Sequence, residues 1–343
     1  MNSIDIIVSV PADGGWAPVW QMAKLLHTYT DGNFVVIDPA FSQKNTTKFL
    51  GLLPRIKRSN DKSCIVVVSD PGIANSILRI PEIFYKYQNI YLWVIDSFWS
   101  DRIPRIVRQG KLFDRCFVMD EEDLLDWGKQ VSTPLGVMPW GVDVLGIDPS
   151  SLLSKENDVV RAGRQPDAWS NNDINVKYFS EISLSYVGNP KSSGGKYNSE
   201  KTLEKVLASS KFFLAFNNLV SPTNYTHPVK TYLTSRWVKG ISYGALMLGA
   251  VPLSATAKKL IPDWAHVEIS PTARDDARAT ILRAYKEWDS SIPIKLHAYA
   301  CRNLDWRYSF AQIFSDIGFK SEALEHDLDL LKQRAERLES TDD

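Results

Sequence analysis

The chain has 343 residues, 44% of them hydrophobic and 23% charged, with 40 basic and 40 acidic side chains. That length suits two domains better than a single core, and a formal charge of zero excludes general attraction to nucleic acid or anionic lipid. Cys64, Cys116 and Cys301 form no CxxC pair and fit buried thiols in a reducing compartment, and no apolar run reaches the roughly 18 residues a membrane span needs.

Ile4–Val10 opens the chain as a strand, with no basic segment or small-residue cleavage site before it. No signal peptide is therefore expected, and the protein is read as cytoplasmic, with a peripheral contact at the inner face of a membrane left open. Further strands are predicted at Phe34–Ile37, Ile65–Ser69, Ile90–Ile95, Cys116–Met119 and Leu135–Met138. Helical spacing lies between them at Trp16–His27, Gln43–Leu52, Pro81–Tyr87, Pro104–Gly110 and Glu121–Lys129. Short apolar strands alternating with helices imply a parallel sheet covered on both faces, with ligands at the C-terminal strand ends.

Pro149–Asn157 is polar and aperiodic and reads as a linker. The alternation then restarts, with strands at Val159–Ala162, Leu184–Val187, Phe212–Phe216, Leu246–Pro252 and Val267–Ile269. Helices are predicted at Glu200–Ala208, Lys230–Tyr243, Arg274–Trp288, Lys295–Cys301, Trp306–Asp316 and Glu322–Leu338. The expected architecture is α/β, with two Rossmann-like domains over 1–148 and 158–320 facing across a cleft, followed by a helical segment over 321–343.

Three places could carry chemistry. The first strand runs into Asp13-Gly14-Gly15-Trp16, where paired glycines let backbone approach a ligand at a helix start; it is not GxGxxG, so an NAD site is disfavoured. Asp96 ends a strand and is followed by Phe98 and Trp99, whose rings would lower local polarity and favour a general base there. Asp13 competes for that role, while Gly14, Gly15, Trp16, Phe98 and Trp99 are expected to line an acceptor pocket.

The third place is the most specific. A buried strand ends at Asn217, a loop carrying Ser221, Thr223, Tyr225, Thr226 and His227 follows, and the helix predicted from Lys230 brings Arg236 and, one turn on, Lys239. Hydroxyls, amides, a helix N-terminus and two cations are suited to a diphosphate held without metal. No metal site is expected, because the five histidines are scattered and Asp327-Leu328-Asp329 lies inside a helix.

The stretch SRWVKGISYGALMLGAVP resembles glycosyltransferases of the GT-B fold, particularly the group-1-like and CgeB-like bacterial members. MPWGVDV at Met138–Val144 is similar to that group's hinge-proximal segment, RAGRQPDAW and SYVGNP to its opening donor-domain units, and Asp305-Trp306-Arg307-Tyr308 to its late helix start. The resemblance covers the C-terminal half well and the N-terminal half by fold pattern.

It implies a metal-independent transferase moving a sugar from a nucleotide-sugar to a hydroxyl of a glycan or glycolipid, in bacterial surface polysaccharide synthesis. It also implies that 1–148 binds the acceptor, that 158–320 binds the donor, and that the C-terminal helix over 321–343 packs back on the first domain. It implies no cofactor, since the nucleotide-sugar is a substrate. Arg236 and the 221–227 loop are implied at the donor pyrophosphate, with Gly163 and Arg164 lining the donor site. Where the family often places a ribose-binding Glu, this chain has Lys239, a departure that points to another donor or another ribose partner. A sugar-nucleotide epimerase or hydrolase and a non-catalytic nucleotide-sugar-binding subunit are the competing expectations.

Overall fold

A computed structural model describes residues 3–40, 52, 62–189 and 196–340. The helix expected at Gln43–Leu52 lies outside the described residues apart from Leu52. Internal packing divides the chain into two units, Met1–Pro139 with Arg307–Glu325, and Trp140–Trp306 with His326–Asp343.

The first unit holds β1 (Ser3–Ser9), β2 (Phe34–Val36), β3 (Lys62–Val68), β4 (Asn89–Val94), β5 (Arg115–Val118) and β6 (Leu135–Val137). All pairings are parallel, in the order β2-β1-β3-β4-β5-β6. β1 and β3 are buried along almost their whole length, as expected of strands covered on both faces. The helix Ala17–Thr28 buries Val19, Met22, Ala23 and Leu26, an i, i+3, i+4, i+7 stripe. Where the sequence showed a single helical stretch at Pro81–Tyr87, the chain forms two 3-10 segments, Pro71–Arg79 and Pro81–Phe84. A proline at the start of each removes an N–H that the first turn leaves unbonded in any case.

One polar cluster locks this sheet. The Asp5 carboxylate is fully buried and accepts from the Asn33 backbone N–H (2.7 Å), the Tyr87 hydroxyl (2.8 Å) and Lys86 (3.0 Å), with Lys62 at 3.1 Å. Burial alone would raise its pKa, but these donors outweigh that and bring it to about 2.

The second unit holds β7 (Asn157–Arg161), β8 (Tyr186–Val187), β9 (Ser210–Phe216), β10 (Leu246–Ala250) and β11 (His266–Glu268), all parallel, in the order β11-β10-β9-β7-β8. In each sheet the first two strands run outward one way and the later strands the other. The switch points therefore fall between β1 and β3 and between β7 and β9. Ligands of open α/β sheets bind beyond the strand C-termini at such points.

Two boundaries differ from expectation. The polar stretch at Pro149–Asn157 belongs inside the second unit, because Leu152 is fully buried there in one core with Val142, Val144 and Ile147. A C-terminal helix does return to the first unit, but through Arg307–Glu325 instead of 321–343. Arg307 donates to the Tyr29 hydroxyl at 2.7 Å, Phe310 packs on Tyr29 and Trp93, and Arg115 pairs with Asp316. From His326 the last helix joins the second unit, where Leu331 and Ala335 are buried and Arg334 donates to the Val144 and Ile147 carbonyls at 3.0 and 2.9 Å.

Asp305 accepts from the Val144 N–H at 2.8 Å. This joins the MPWGVDV segment to the start of the helix Trp306–Ile317. Among the described residues no helix is long and apolar enough to cross a membrane.

Candidate functional site

In the second unit the switch point is occupied by two arginines. β7 ends at Arg161, and Gly163 follows with φ +69°, a left-handed turn that side chains rarely adopt. The turn presents the Arg164 carbonyl to Arg236, whose Nη1 donates to it at 2.8 Å. Arg164 reaches across to the loop after β9, donating to Thr223 Oγ1 at 2.8 Å while its guanidinium lies 4.9 Å from the Tyr225 ring centroid. Tyr225 is exposed and Arg236 half-buried. Among the described residues neither arginine has a carboxylate partner.

Desolvation, and then the neighbouring Arg164 charge, bring the Arg236 pKa down to about 10. Two cations held together without an acid create a local demand for negative charge. The helix bearing Arg236 adds to it through the positive end of its dipole.

That helix is shorter than the sequence suggested. It runs Ser235–Ser242, with Thr234 as an N-cap whose side chain makes no capping bond. Residues from Lys230 to Thr234 are loop, which puts Arg236 in the first helical turn instead of the second. Gly244 ends the helix at φ +67°, its N–H bonding the Ile241 carbonyl at 2.9 Å, the left-handed stop expected of a glycine there.

The remaining loop residues mostly shape the loop. Asn217 Nδ2 donates to the Val251 carbonyl (3.1 Å) and its Oδ1 accepts from the Leu219 and Val220 N–H groups, tying together the exits of β9 and β10. Ser221 is buried and donates to the Asn217 carbonyl, while Thr226 and Thr223 bond each other. His227 Nδ1 accepts from the Val229 and Lys230 N–H groups at 3.3 and 3.0 Å, a turn-forming contact.

Lys239 is a correction. It is buried on the inner side of the helix and pairs with Glu200 and, at 3.1 Å, Glu204 of the helix Lys196–Ala208. A lysine neutralised by two carboxylates does not add to the charge around Arg236.

Sequence reasoning missed Gln165, Asn218 and Thr234. Gln165 bridges β7 to β9 through its Nε2, 3.1 Å from the Leu214 carbonyl. Gln165 Oε1, Asn218 Oδ1 and Thr234 Oγ1 are buried without a hydrogen-bond partner among the described residues, all on the loops at this strand edge. Gln165 stands inside RAGRQPDAW, so the clue was adjacency to Arg164.

In the first unit the corresponding edge carries the other candidates. Asp13 is exposed and its Oδ1 accepts from the Gly15 N–H at 3.1 Å, closing the 3-10 turn Gly14–Trp16. Trp16 is half-buried at the head of the helix Ala17–Thr28. Asp96 follows β4, with its N–H bonded to the Ser69 carbonyl at 2.8 Å. The next residue anchors this turn: Ser97 Oγ donates to Asp123 (2.7 Å), and the Ser97 carbonyl accepts from the Trp127 indole (2.8 Å).

Burial first, and then the nearby Asp70 charge, raise the Asp96 pKa to about 7, with Arg102 pulling the other way. Phe98 departs from its expected role, since it is buried and packs against Trp99 instead of lining an open surface. Trp99 is half-buried, with Arg102 over its ring at 3.7 Å. Among the described residues no group of three or more His, Cys, Asp or Glu could hold a metal ion.

No protein-family model and no curated protein matches the sequence. Solved structures do match over nearly their full length. One, described as "Trehalose-6-phosphate from E. coli bound with UDP-2-fluoro glucose", covers 92% of this chain and 99% of its own, at 11% identity and TM-score 0.50. Another, "OtsA apo structure", covers the same shares at 10% identity and TM-score 0.51. The chain has the GT-B fold. At such identities the fold is what is shared, and the GT-B assignment agrees with two parallel α/β units, each with its own switch point.

Proposed function

We propose that this protein is a glycosyltransferase that takes a sugar from a nucleoside-diphosphate sugar and passes it to a hydroxyl of a glycan or glycolipid, without a divalent cation. The observation that carries the reading is the pair Arg164 and Arg236 at the second switch point, joined through the Gly163 turn and lacking a carboxylate partner among the described residues. A diphosphate supplies the missing negative charge. The same guanidiniums, with the first turn of the helix Ser235–Ser242, would meet the charge that grows on the departing phosphate. Thr223 and Tyr225 orient Arg164, and Gly163 leaves room for the approach.

In this reading Asp96 takes the proton of the acceptor hydroxyl as that oxygen bonds to the anomeric carbon and the sugar–phosphate bond breaks. That role requires an inverting displacement. A carboxylate half-ionised near neutral pH matches it, because a base works best with a pKa close to the working pH. Asp13, committed to the Gly15 N–H, is the weaker choice. The relative bound to UDP-2-fluoro glucose supports the choice of donor class. Resemblance of the SRWVKGISYGALMLGAVP stretch supports bacterial surface polysaccharide as the setting.

A melting-temperature screen with UDP, GDP, dTDP, CMP and their sugar conjugates tests the donor half, because a ligand stabilises the folded state in proportion to its occupancy. We expect a nucleoside diphosphate to raise the midpoint in excess EDTA, and Arg164→Ala or Arg236→Ala to abolish the rise. Stabilisation that requires Mg²⁺, or that survives both substitutions, would sink the proposal.

A further inference from the structure

Two aspartates leave adjacent strands at the C-terminal edge of the first sheet. β3 and β4 pair in parallel up to Val68 and Val94, after which Ser69–Asp70 bends and Ile95–Phe98 turns. The Ile95 N–H bonds the Val68 carbonyl at 3.0 Å, and the Asp96 N–H bonds the Ser69 carbonyl at 2.8 Å, so the backbone of Asp96 is tied to the residue before Asp70.

Arg102 is the third member. Its Nη1 lies 3.9 Å from Asp70 Oδ2, and its guanidinium covers the Trp99 ring at 3.7 Å. Trp99 in turn is tied to the pair, its N–H bonding the Asp96 carbonyl at 3.3 Å. Asp70 also accepts from the Gly72 N–H at 2.7 Å, so its negative charge has two partners. The Asp96 carboxyl has no hydrogen bond or ion pair among the described residues. Asp123 and Asp120, on and before the adjoining helix Glu121–Gly128, are occupied by Ser97 and by the Glu122 N–H. The charges acting on Asp96 are therefore those of Asp70 and Arg102.

We propose that Asp70 and Arg102 are positioning residues for Asp96. Asp70, with its charge held by Arg102 and the Gly72 amide, makes Asp96 the member of the pair that accepts a proton, and the stack of Arg102 on Trp99 keeps the three in register. This rests on reading Asp96 as the acceptor base. A like charge nearby disfavours ionisation of a carboxyl, and the Asp70 charge acts on Asp96 in that sense while Arg102 acts against it. The proton leaves the acceptor oxygen for Asp96 as the glycosidic bond forms, and Asp96 returns it to solvent once the product departs. Of these residues the sequence pointed to Asp96 and Trp99. The juxtaposition with Arg102 is tertiary.

The test is a carbon-13 titration of the aspartate carboxyl groups in the intact protein, from about pH 4 to about pH 9, without donor or acceptor. In wild type one carboxyl should titrate near 7, and its signal should be missing from Asp96→Asn. Asp70→Asn removes the like charge and should lower that midpoint part of the way toward the ordinary carboxylate range, burial remaining as the larger cause. Arg102→Gln removes the opposing charge and should raise it. Opposite displacements from two neighbouring substitutions are not what loss of packing would produce.

Should Asp70→Asn fail to fold, Asp70→Ser, which also removes the charge and keeps an acceptor near the Gly72 N–H, preserves the comparison with Arg102→Gln. An Asp96 midpoint unmoved by Asp70→Asn in a folded variant overturns the inference, as does movement of both variants in one direction. Since no substrate is present, displaced midpoints in a protein that never transfers sugar would uphold the coupling while removing the base role.

Discussion

Replacing Arg236 with Met keeps most of the side-chain volume and removes the cation, which separates its ligand role from its structural one. In the unliganded protein, desolvation and the Arg164 charge bring the Arg236 pKa down to about 10. That displacement corresponds to on the order of 3 kcal/mol of unfavourable charge burial. Against it stands the charged hydrogen bond from Nη1 to the Arg164 carbonyl at 2.8 Å. Bonds of that kind contribute about 1.5–3 kcal/mol. The two effects nearly cancel, so the unliganded variant should unfold within about 2 kcal/mol of wild type.

Binding of a diphosphate should not be spared, because one of the two cations facing it is gone. Loss of about 2 kcal/mol of charge-assisted contact weakens UDP or inorganic pyrophosphate roughly 30-fold. Urea denaturation with and without UDP gives the stability, and titration calorimetry gives the affinity. Undiminished UDP affinity, or a stability loss beyond about 4 kcal/mol, would show that Arg236 is a structural post and not an anion ligand.

Asp5→Asn should cost about 2–3 kcal/mol at neutral pH, read by urea denaturation across pH. The folded pKa lies below the ordinary value, so the contribution is complete above the unfolded pKa and is lost as pH falls through about 2. The variant should therefore show a flatter acid limb, and an unchanged limb would contradict the lock. Lys239→Glu places a third carboxylate beside Glu200 and Glu204 and should destabilise by at least about 3 kcal/mol without improving nucleotide affinity. Recovery on adding Glu200→Lys would confirm the pairing, and tighter UDP binding in the single variant would refute it. Asp96→Asn should leave UDP affinity unchanged and lower kcat by about 100-fold or more, with wild-type turnover the contrary result. Sugar transfer should persist in excess EDTA, and loss restored by Mg²⁺ would end the metal-free reading.

The sheet-forming runs were legible because their information is local. Ile6–Val8, Ile65–Val68 and Phe212–Phe216 are continuous apolar segments, and strands buried on both faces read that way whatever lies next to them. Arg236 was legible too, since a cation on a helix that follows a hydroxyl-rich loop is a local pattern. The helix start was not: residues 230–234 keep helical composition, yet Asn218 binds the Lys230 carbonyl and His227 the Lys230 N–H, contacts that hold the segment as loop. Lys239 looked like a second phosphate ligand because helical spacing fixes its face but not what that face meets. Its partners lie 35 and 39 positions earlier in the chain.

Composition and periodicity by themselves determined two parallel α/β units and pointed to the loop and helix that carry Arg236. Tertiary structure alone decided which cations stay unpaired, which carboxylates stand together, and that the return crossing runs through Arg307–Glu325. The reason is that burial and charge pairing are set by residues distant in sequence. A period of 2 or 3.6 tells which way a side chain points, and only the packed chain supplies what it points at.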